Sequence, residues 1–387
     1  MKRTIEQVDV DGKRVLMRVD FNVPICDGEI TDDRRIQLSL PSIECVLQRG
    51  GTVTLMSHLG RPSGLGVESQ FSLEPVSIRL SELLHRPVSF GEDDPEAEIV
   101  LLENLRFNFG EETGDADFAA QLASLGDIYC NNAFGTAHRT HASMVALPEA
   151  MEGKPRVVGM LMANELQFFV DTVEHAQRPF VALLGGAKVS DKMHVIRHLL
   201  DKVDTILIGG AMSYTFLAAG GTEVGESLVE HDRLQEANEI LDVAAASDTA
   251  LLLPCDHVCA KRIAQDPSVK VVSDSIPNGW MGLDIGPETQ TLYSKTLLLA
   301  KTILWNGPMG VFETEPFDVG TAQVAKAISK ATTRGAISIV GGGDTAAAVS
   351  SIGLESQITH ISTGGGASLQ LLAGKSFKSV EMLDNAV

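Results

Sequence analysis

Short apolar runs that end in glycines or polar residues recur along the chain and predict buried strands. In the first half they cover residues 14–19, 52–56, 99–102 and 127–130, and in the second half 180–184, 203–208, 250–253, 302–305 and 336–340. Segments with helical spacing lie between several of them, including 36–48 and 73–85. Apolar strands of this kind are typical of parallel sheets that are covered on both faces. The pattern therefore predicts two successive α/β series, with a boundary around a helix predicted over 162–177.

Residues 336–350 (AISIVGGGDTAAAVS) are expected to form a strand, a glycine-rich turn and a helix that begins near Ala346. Glycines let backbone N–H groups approach a ligand, and a helix start adds unpaired N–H groups, so the stretch suits phosphate. A carboxylate beside a phosphate requires a cation between them, and Asp344 therefore indicates Mg²⁺. Two alternatives stay open for this stretch taken alone: a structural turn, and the dinucleotide fingerprint that Gly341, Gly343 and Ala346 also fit.

Basic residues follow successive strands of the first half. Arg61, Arg106 and Arg139 lie just past strand ends, and Arg35 lies shortly after the first strand. The carboxyl ends of parallel strands meet at one edge of a sheet, so these side chains are expected to converge. A guanidinium group suits carboxylate and phosphate, and the sequence therefore predicts a shared anion site.

Glycines take the place of the arginines at several strand ends of the second half, at 185–186, 209–210 and 364–366. The first of these loops also carries Lys188 and Lys192, which are four residues apart. If a helix begins near Val189 or Ser190, Lys188 lies at its start and Lys192 one turn further, and both reach the same phosphates.

Composition and charge limit the classes of function. The chain has 387 residues, 44% of them hydrophobic, with 36 glycines, as expected for a well-packed α/β enzyme of two or more domains. The formal net charge of −20 argues against broad binding to nucleic acids or anionic membranes. Five scattered cysteines predict reduced thiols, and the N-terminus shows no secretory signal. A cytoplasmic location is expected.

Several other motifs are weaker. Cys255, His257 and Cys259 share one face of a strand, but a metal site is not favoured, because no companion cluster supplies a fourth ligand. His138 and His141 serve either as acid–base groups or as hydrogen-bond partners of substrate or backbone. The Glu111–Glu112 pair is expected to be a solvated loop charge.

Ten segments in order carry a resemblance to a known family: RVDFNVP (18–24), DRRI (33–36), SHLGRP (57–62), LLENLRF (101–107), NNAFGTAHRTHAS (131–143), LLGGAKVSDK (183–192), MGLDIGP (281–287), LWNGPMGVFE (304–313), SIVGGGDT (338–345) and STGGGAS (362–368). Over nearly its whole length the chain closely resembles the phosphoglycerate kinases. The resemblance implies two Rossmann-like α/β domains with parallel sheets, joined by a hinge helix around a central cleft. We expect the N-terminal domain at 1–165, the C-terminal domain at 166–372, and a tail at 373–387 that packs on the N-terminal domain.

The resemblance also implies the site residues. The N-terminal domain would bind 3-phosphoglycerate or 1,3-bisphosphoglycerate through Asp20, Phe21, Asn22, Arg35, His58, Leu59, Gly60, Arg61, Arg106 and Arg139. The C-terminal domain would bind ADP or ATP through Gly186, Lys188, Lys192, Gly210, Gly282, Asn306, Glu313, Gly341, Gly342, Gly343, Asp344 and Thr345. Within that set Glu313 would contact the ribose hydroxyls, and Asp344 would lie beside Mg²⁺.

The implied reaction is reversible, in-line transfer of the acyl phosphate of 1,3-bisphosphoglycerate to MgADP. Both nucleophiles are ionised at pH 7, so the reaction needs alignment and charge neutralisation rather than a general base. The residues expected to supply this are Arg35, Lys188 and the helix starts at Gly343 and Gly366. Groups on two domains imply hinge closure. A monomer is expected from the family.

Two rival functions remain. An NAD-dependent dehydrogenase would explain the glycine fingerprint, but it requires an acidic residue about twenty positions later. The next strand ends instead in Ser362, Thr363 and Gly364. A silent binding protein on the same fold is the other rival, and the presence of Arg35 and Lys188 argues against it.

Overall fold

A computed structural model describes residues 1–264 and 268–386. The chain divides into two compact units. Unit 1 consists of Met1–Gln167 together with the segment that begins at Ser376, and unit 2 is Phe168–Lys375. Each unit is built around its own parallel sheet.

The sheet of unit 1 has the strand order β5-β6-β4-β1-β7-β8, and all neighbouring pairs in it are parallel. A separate two-stranded hairpin, β2-β3, turns at Asp27 and Gly28. The strands of unit 1 are β1 (Arg14–Arg18), β2 (Ile25–Cys26), β3 (Glu29–Ile30), β4 (Thr52–Met56), β5 (Ser89–Gly91), β6 (Ile99–Leu102), β7 (Ile128–Asn131) and β8 (Arg156–Val158).

Helices and short 3-10 turns connect these strands. The α-helices are α1 (Arg34–Leu47), α2 (Glu74–Leu84), α3 (Phe109–Thr113), α4 (Ala116–Ala123), α5 (Ala146–Ala150) and α6 (Met160–Leu166), and the 3-10 turns are Ile5–Gln7, Ser69–Phe71, Leu105–Phe107 and Phe134–Thr136. Apolar side chains of β1, β4 and β6 pack against α1 and α2 to form a single core. Successive residues of β1, β4, β6 and β7 are buried, so both faces of the sheet are covered, as the apolar strand pattern predicts.

Unit 2 contains a second parallel sheet with the order β11-β10-β9-β15-β16-β17, and a smaller antiparallel sheet with the order β13-β12-β14. Its strands are β9 (Phe180–Leu184), β10 (Thr205–Ile208), β11 (Ala250–Leu252), β12 (Asp256–Ala260), β13 (Lys270–Ser273), β14 (Met281–Ile285), β15 (Thr302–Asn306), β16 (Ile337–Gly341) and β17 (His360–Ile361).

The helices of unit 2 are α7 (Thr172–Glu174), α8 (Met193–Leu199), α9 (Met212–Ala219), α10 (Leu234–Ala245), α11 (Pro287–Leu299), α12 (Val319–Thr333), α13 (Gly343–Ser351) and α14 (Gly366–Leu372), with 3-10 turns at His231–Arg233 and Glu355–Gln357. The core lies between the central strands and α11 and α12, where Trp305 is fully buried. No helix of the described residues combines the length and the apolar character needed to cross a bilayer.

The C-terminal segment returns to unit 1. It forms α15 (Lys378–Glu381), where the Ser379 hydroxyl donates to the carbonyl of Ala137 at 2.5 Å. Beyond the helix, the Arg3 N–H donates to the Asp384 carbonyl at 2.8 Å. These bonds join the two ends of the chain to the same unit.

The structure differs from the sequence pattern in several details. The helix predicted over 162–177 is α6, a π-helical segment at Gln167–Asp171, and α7. Residues 281–285 form strand β14, where the apolar pattern predicts no strand. Helix α8 begins at Met193, later than Val189 or Ser190, and α13 begins at Gly343, earlier than Ala346. Glycine-rich sequence explains the difference at α13, because glycine adopts turn and helix-start conformations alike, and the sequence pattern therefore does not define the boundary.

Candidate active site

The carboxyl end of β1 in unit 1 carries the first group of predicted residues. The carboxylate of Asp20 lies 3.1 Å from the guanidinium of Arg35, whose Nη1 also donates to the Asn22 carbonyl at 3.2 Å. The Asn22 side-chain oxygen accepts from the Gly60 N–H at 2.9 Å, and so joins the loop after β1 to the loop after β4. Phe21 is fully buried, and its N–H donates to the Ser57 hydroxyl after β4 at 2.9 Å.

The loops after β4 and β6 hold the next group. Arg106 is buried, and its Nη1 donates to the carbonyl of Gly60 at 2.7 Å. Asn104 fixes the turn before it, donating to the Leu59 carbonyl at 2.8 Å. The same turn places the Arg106 Nε 3.1 Å from the exposed carboxylate of Glu112. Direct hydrogen bonds therefore connect the loops after β1, β4 and β6, as expected for neighbouring strand ends.

The remaining predicted residues of unit 1 are at the same strand ends but differ in exposure. His58 is buried directly after β4, whereas Arg61 is exposed. Arg139 is exposed just beyond the 3-10 turn that follows β7. Exposed guanidinium groups keep their side-chain freedom until a ligand orders them.

Sequence analysis did not identify a buried arginine that lies next to His58. Arg18, the last residue of β1, has no exposed surface; its Nη2 lies 3.2 Å from the Nδ1 of His58, and its Nε donates to the Ser143 hydroxyl at 2.8 Å. The apolar pattern assigns residues 14–19 to a buried strand, and Arg18 was therefore not considered as a site residue. The signal available was the charge itself, since a buried arginine requires partners.

Three histidines of unit 1, His58, His138 and His141, have lowered pKa values, which favours their neutral forms. Burial, reinforced by the charges of Arg18 and Arg106, keeps the pKa of His58 well below its ordinary value. Burial and Arg106 lower the pKa of His141 to about 4, and burial and Arg139 lower that of His138. Of the two roles left open for His138 and His141, hydrogen bonding fits a neutral imidazole better than proton donation at pH 7.

Several buried polar atoms at this edge have no hydrogen-bond partner within the described residues. They include side-chain nitrogens of Asn131, Asn132, His138 and His141. Buried polar groups in proteins are normally paired, so such a concentration is typical of a surface that binds a polar ligand.

In unit 2, the loop after β9 holds Lys192 in a buried cradle. Its ammonium group donates to the Gly185 carbonyl, and a Cβ atom on Gly307 would lie 2.7 Å from that group. Burial lowers the pKa of Lys192 to about 8, while the carboxylates of Asp191 and Asp344 oppose that shift. Lys188 is exposed on the same loop. Because α8 begins at Met193, the two lysines lie on the loop and not on successive turns of a helix.

Backbone hydrogen bonds join the glycine loops of unit 2. The Gly186 N–H donates to the Pro308 carbonyl and the Gly210 N–H to the Met309 carbonyl, each at 2.9 Å. The loops after β9, β10 and β15 thereby form one continuous backbone surface at the point where the strand order reverses. Ligands of α/β sheets bind at such reversal points.

The loop after β16 borders this surface, next to the loop after β15. Gly342 has φ of 93°, a conformation that other residues rarely adopt, and α13 begins directly after it. The Thr345 hydroxyl accepts from the Gly307 N–H at 2.7 Å and ties the loop to β15. The Asn306 amide nitrogen is buried without a hydrogen-bond partner in the described residues and lies beside Gly341. Asp344 is exposed in the first turn of α13.

The other predicted residues of unit 2 are more varied. Gly282 is a buried residue of β14 whose N–H donates to the Ser227 hydroxyl at 2.9 Å, and a Cβ atom there would collide with Tyr214. Glu313 is exposed in the segment between β15 and α12. Gly366 begins α14, and a Cβ atom on it would meet no neighbour within 4 Å. Nothing in the hydrogen bonds of Gly282 itself points to a ligand.

A parallel α/β unit with a basic strand-end edge, and a second one with a glycine-lined edge beside a buried lysine, define a two-unit phosphotransferase. A family model described as phosphoglycerate kinase matches residues 5–375. The phosphoglycerate kinase of Rhodopirellula baltica is 52% identical over 401 residues, and that of Chloroherpeton thalassium is 50% identical over 398 residues, with all of both chains covered in each case.

Solved structures give the same result. The phosphoglycerate kinase from Coxiella burnetii superimposes with a TM-score of 0.92 at 38% identity, and the one from Pyrococcus horikoshii with a TM-score of 0.82 at 31% identity. Each comparison covers 99% of this chain and 98% of the other. The chain belongs to the phosphoglycerate kinase family. This confirms the predicted family, fold class and enzyme class, and excludes the dehydrogenase.

Proposed function

We propose that the protein transfers the acyl phosphate of 1,3-bisphosphoglycerate to ADP, reversibly, giving 3-phosphoglycerate and ATP. The proposal rests on the presence of two sites. In unit 1, buried and exposed arginines lie at the strand ends. In unit 2, a buried lysine lies beside backbone groups of the glycine loops. An anionic sugar-acid phosphate suits the first, and a nucleotide polyphosphate suits the second.

In unit 1, Arg61, Arg106 and Arg139 hold the phosphate of 3-phosphoglycerate that does not react. Their guanidinium groups offer bidentate hydrogen bonds to phosphate oxygens, and two of the three are exposed and free to reorient onto a ligand. His58 and Asn22 complete the site together with the backbone of Leu59 and Gly60. The Asp20 carboxylate orients Arg35, whose charge is directed to the transferring group.

In unit 2, the Gly341–Thr345 loop and the start of α13 receive phosphate oxygens through backbone N–H groups. Lys192 and the Asn306 amide contact the bound nucleotide, with Gly186 and Gly210 providing the backbone floor. Glu313 contacts the ribose hydroxyls, and Gly282 lies in the strand that supports the nucleotide. Lys188 neutralises the transferring group from the nucleotide side.

The residues present fit a magnesium ion that is shared with the nucleotide. In the described part of the chain, no group of three or more His, Cys, Asp or Glu side chains is placed to hold a metal ion. Mg²⁺ is commonly bound by one carboxylate together with substrate phosphates and waters, and Asp344 supplies that carboxylate. When bound, the ion would neutralise phosphate charge and fix the geometry of the nucleotide.

Charge neutralisation and alignment carry the reaction. Both nucleophiles are anions at pH 7, and the lowered pKa values of His58, His138 and His141 favour neutral imidazoles at the strand ends of unit 1. Arg35, Lys188 and the helix starts at Gly343 and Gly366 stabilise the charge of the transferring phosphoryl group. Transfer needs both bound substrates in direct contact, so we infer a hinge motion during turnover, which also excludes water.

A coupled assay with 3-phosphoglycerate and ATP tests the proposal directly. We expect turnover that requires both substrates and a divalent cation, and no oxidation of NADH without the coupling enzyme. If the protein binds nucleotide but shows no phosphoglycerate-dependent turnover, it is the catalytically silent binding protein, which is the second rival function.

We also propose that the protein works as a monomer in the cytoplasm, without a nucleic-acid or membrane partner. The five cysteines are all free thiols, which suits a reducing compartment. The formal net charge of −20 disfavours contact with anionic polymers and lipids. Sedimentation equilibrium over a wide concentration range tests the oligomeric state.

A further inference from the structure

Glu111 is fully buried, although its sequence context predicted a solvated loop charge, and that prediction is wrong. The residue belongs to α3, and its carboxylate accepts from the Ser143 N–H at 2.9 Å and from the Ser143 hydroxyl at 2.6 Å. A buried carboxylate is costly unless it is paired with a charge and hydrogen-bonded, so its surroundings must compensate it.

The compensating charge is Arg18, which is as fully buried as Glu111. The Arg18 Nη2 lies 4.0 Å from the Glu111 carboxylate, and the Ser143 hydroxyl bridges the pair by accepting from Arg18 Nε at 2.8 Å. The Nδ1 of His141 lies 3.8 Å from the same carboxylate oxygen. The Glu111 carboxylate is therefore buried next to Arg18 and His141.

The contact between Arg18 and His58 determines which nitrogen of the imidazole carries the proton. A guanidinium group has only hydrogen-bond donors, so the Nδ1 of His58, 3.2 Å from Arg18 Nη2, must accept. In a neutral imidazole the other nitrogen, Nε2, then carries the proton and is a donor. Donors are what an anionic phosphoglycerate requires at this edge.

We propose that Glu111 is a positioning residue for the phosphoglycerate site. It provides the counter-charge that holds Arg18 in place and, through Arg18, fixes the Nε2–H tautomer and the orientation of His58. The inference rests on the proposed role of this strand-end group in binding phosphoglycerate. Glu111 itself contacts no substrate.

Substitution of Glu111 by glutamine tests the inference, because it nearly keeps the shape but removes the charge. The amide oxygen can still accept from the Ser143 N–H, whereas the amide NH2 group can only donate to the Ser143 hydroxyl. With the Arg18 charge unpaired, we expect the KM for 3-phosphoglycerate to rise on the order of tenfold, as for loss of one hydrogen bond to a charged group. The KM for ATP and kcat should change by less than about twofold. The control is Glu96→Gln, which removes a carboxylate from an exposed position of the same unit.

Two further measurements separate positioning from general destabilisation. Nitrogen-15 spectra of the imidazoles should show His58 with Nε2 protonated in the unaltered protein, and a mixture of tautomers in Glu111→Gln. In an Arg18→Gln background, Glu111→Gln should add little to the KM, because its effect passes through Arg18. An unchanged His58 tautomer, or fully additive effects on KM, would overturn the inference.

Ser143→Ala serves if Glu111→Gln does not fold, since it removes the bridge and keeps both charges. We expect a smaller rise in the KM for 3-phosphoglycerate, with some loss of the His58 Nε2–H tautomer, and an unchanged KM and tautomer would overturn the inference here too. The proposed function fails separately. It fails if the unaltered protein shows no turnover with 3-phosphoglycerate, whatever the variants do.

Discussion

Arg35 and Arg106 lie on the same unit but have different surroundings. Arg106 is buried against the Gly60 carbonyl, and burial lowers its pKa, whereas Arg35 is half-exposed and paired with Asp20. The Gly60 carbonyl holds Arg106 in the loops after β4 and β6, whereas the Asp20 carboxylate holds Arg35 beside the loop after β1. The two residues therefore make a test of which contacts strengthen in the transition state.

We expect Arg106→Ala mainly to raise the KM for 3-phosphoglycerate and Arg35→Ala mainly to lower kcat. Arg106→Lys should recover only part of the affinity for 3-phosphoglycerate, because lysine keeps the charge but cannot form the two parallel hydrogen bonds of a guanidinium group. Steady-state kinetics with both substrates varied provide the measurement. A normal kcat with only a raised KM in Arg35→Ala would make Arg35 another substrate-positioning residue, and charge neutralisation would then fall to Lys188 and the helix starts.

Lys188 and Lys192 also differ by burial. Lys188→Ala should lower kcat by roughly 10²–10³, as when one preorganised donor is lost, with little effect on ADP binding. Lys192→Ala should mainly weaken ADP binding, because the residue is held against the glycine loops. Calorimetric titrations that give equal losses of ADP affinity for the two variants would contradict this division.

The pH dependence of ADP binding follows from Lys192. Its pKa of about 8 lies below the 10.5 of an ordinary lysine, so the folded protein loses this charge first as pH rises. The affinity of the nucleotide-free protein for ADP should therefore fall above pH 8, by up to about tenfold per unit, whereas stability due to this residue rises between pH 8 and 10.5. Lys192→Met should flatten the ADP profile, and a profile unchanged by that substitution would assign the titration elsewhere.

Substitution of Asp344 tests whether its carboxylate contributes to Mg²⁺ binding. Asp344→Asn keeps the shape and removes the charge, so it should raise the Mg²⁺ concentration needed for half-maximal activity and reduce turnover. Affinity for 3-phosphoglycerate should stay nearly intact, because that site is on unit 1. The measurement is a magnesium titration of the initial rate, and an unchanged titration curve would refute the assignment of Asp344.

At the scale of elements, a substitution at the start of α13 should affect stability and ADP binding in opposite directions. Gly343 is the first helical residue, and a Cβ atom on it would meet no neighbour within 4 Å. Gly343→Ala should therefore leave the free energy of unfolding unchanged or raise it by up to ~1 kcal/mol, from helix propensity. The added methyl group should nevertheless weaken ADP binding, because it occupies the space that phosphate oxygens require.

Thermal unfolding and ADP titration on the same sample provide the measurement. Gly353→Ala is a control with the opposite stability effect, since Gly353 has φ of 66° in the turn after α13. That variant should lose stability but keep its ADP affinity. Equal ADP affinity in Gly343→Ala and in the unaltered protein would remove this helix start from the phosphate site.

Sequence patterns predicted strands better than helix starts, for a physical reason. Buried strands such as β1, β9 and β15 are short apolar runs bounded by glycines or polar residues, and they appear where the pattern predicts them. The start of α8 at Met193 was missed because Lys192, its N-cap residue, has no side-chain capping bond and leaves no capping signature. Glu111 and Arg18 were missed because burial of a charge depends on partners that are distant in sequence, as Ser143 is from both.

At the scale of the whole molecule, the two sites belong to units with separate cores. A ligand that binds only the native state protects mainly the unit that it contacts, because local opening there must first release it. The acidic chain concentrates cations at the edge of one unit and a lysine with backbone donors at the edge of the other. This separation predicts that each substrate slows hydrogen exchange mainly in the unit that it contacts.

Hydrogen exchange with each substrate alone is the measurement. We expect 3-phosphoglycerate to slow exchange at residues 20–24, 57–61 and 104–107 of unit 1, and MgADP to slow it at 185–192, 306–310 and 341–346 of unit 2. Arg106→Ala should abolish the first protection and leave the second, and Asp344→Asn should weaken only the second. If 3-phosphoglycerate protected the glycine loops of unit 2 in the absence of nucleotide, the assignment of the two sites to separate units would be wrong, and Arg106 and Lys192 would have to act on one shared ligand.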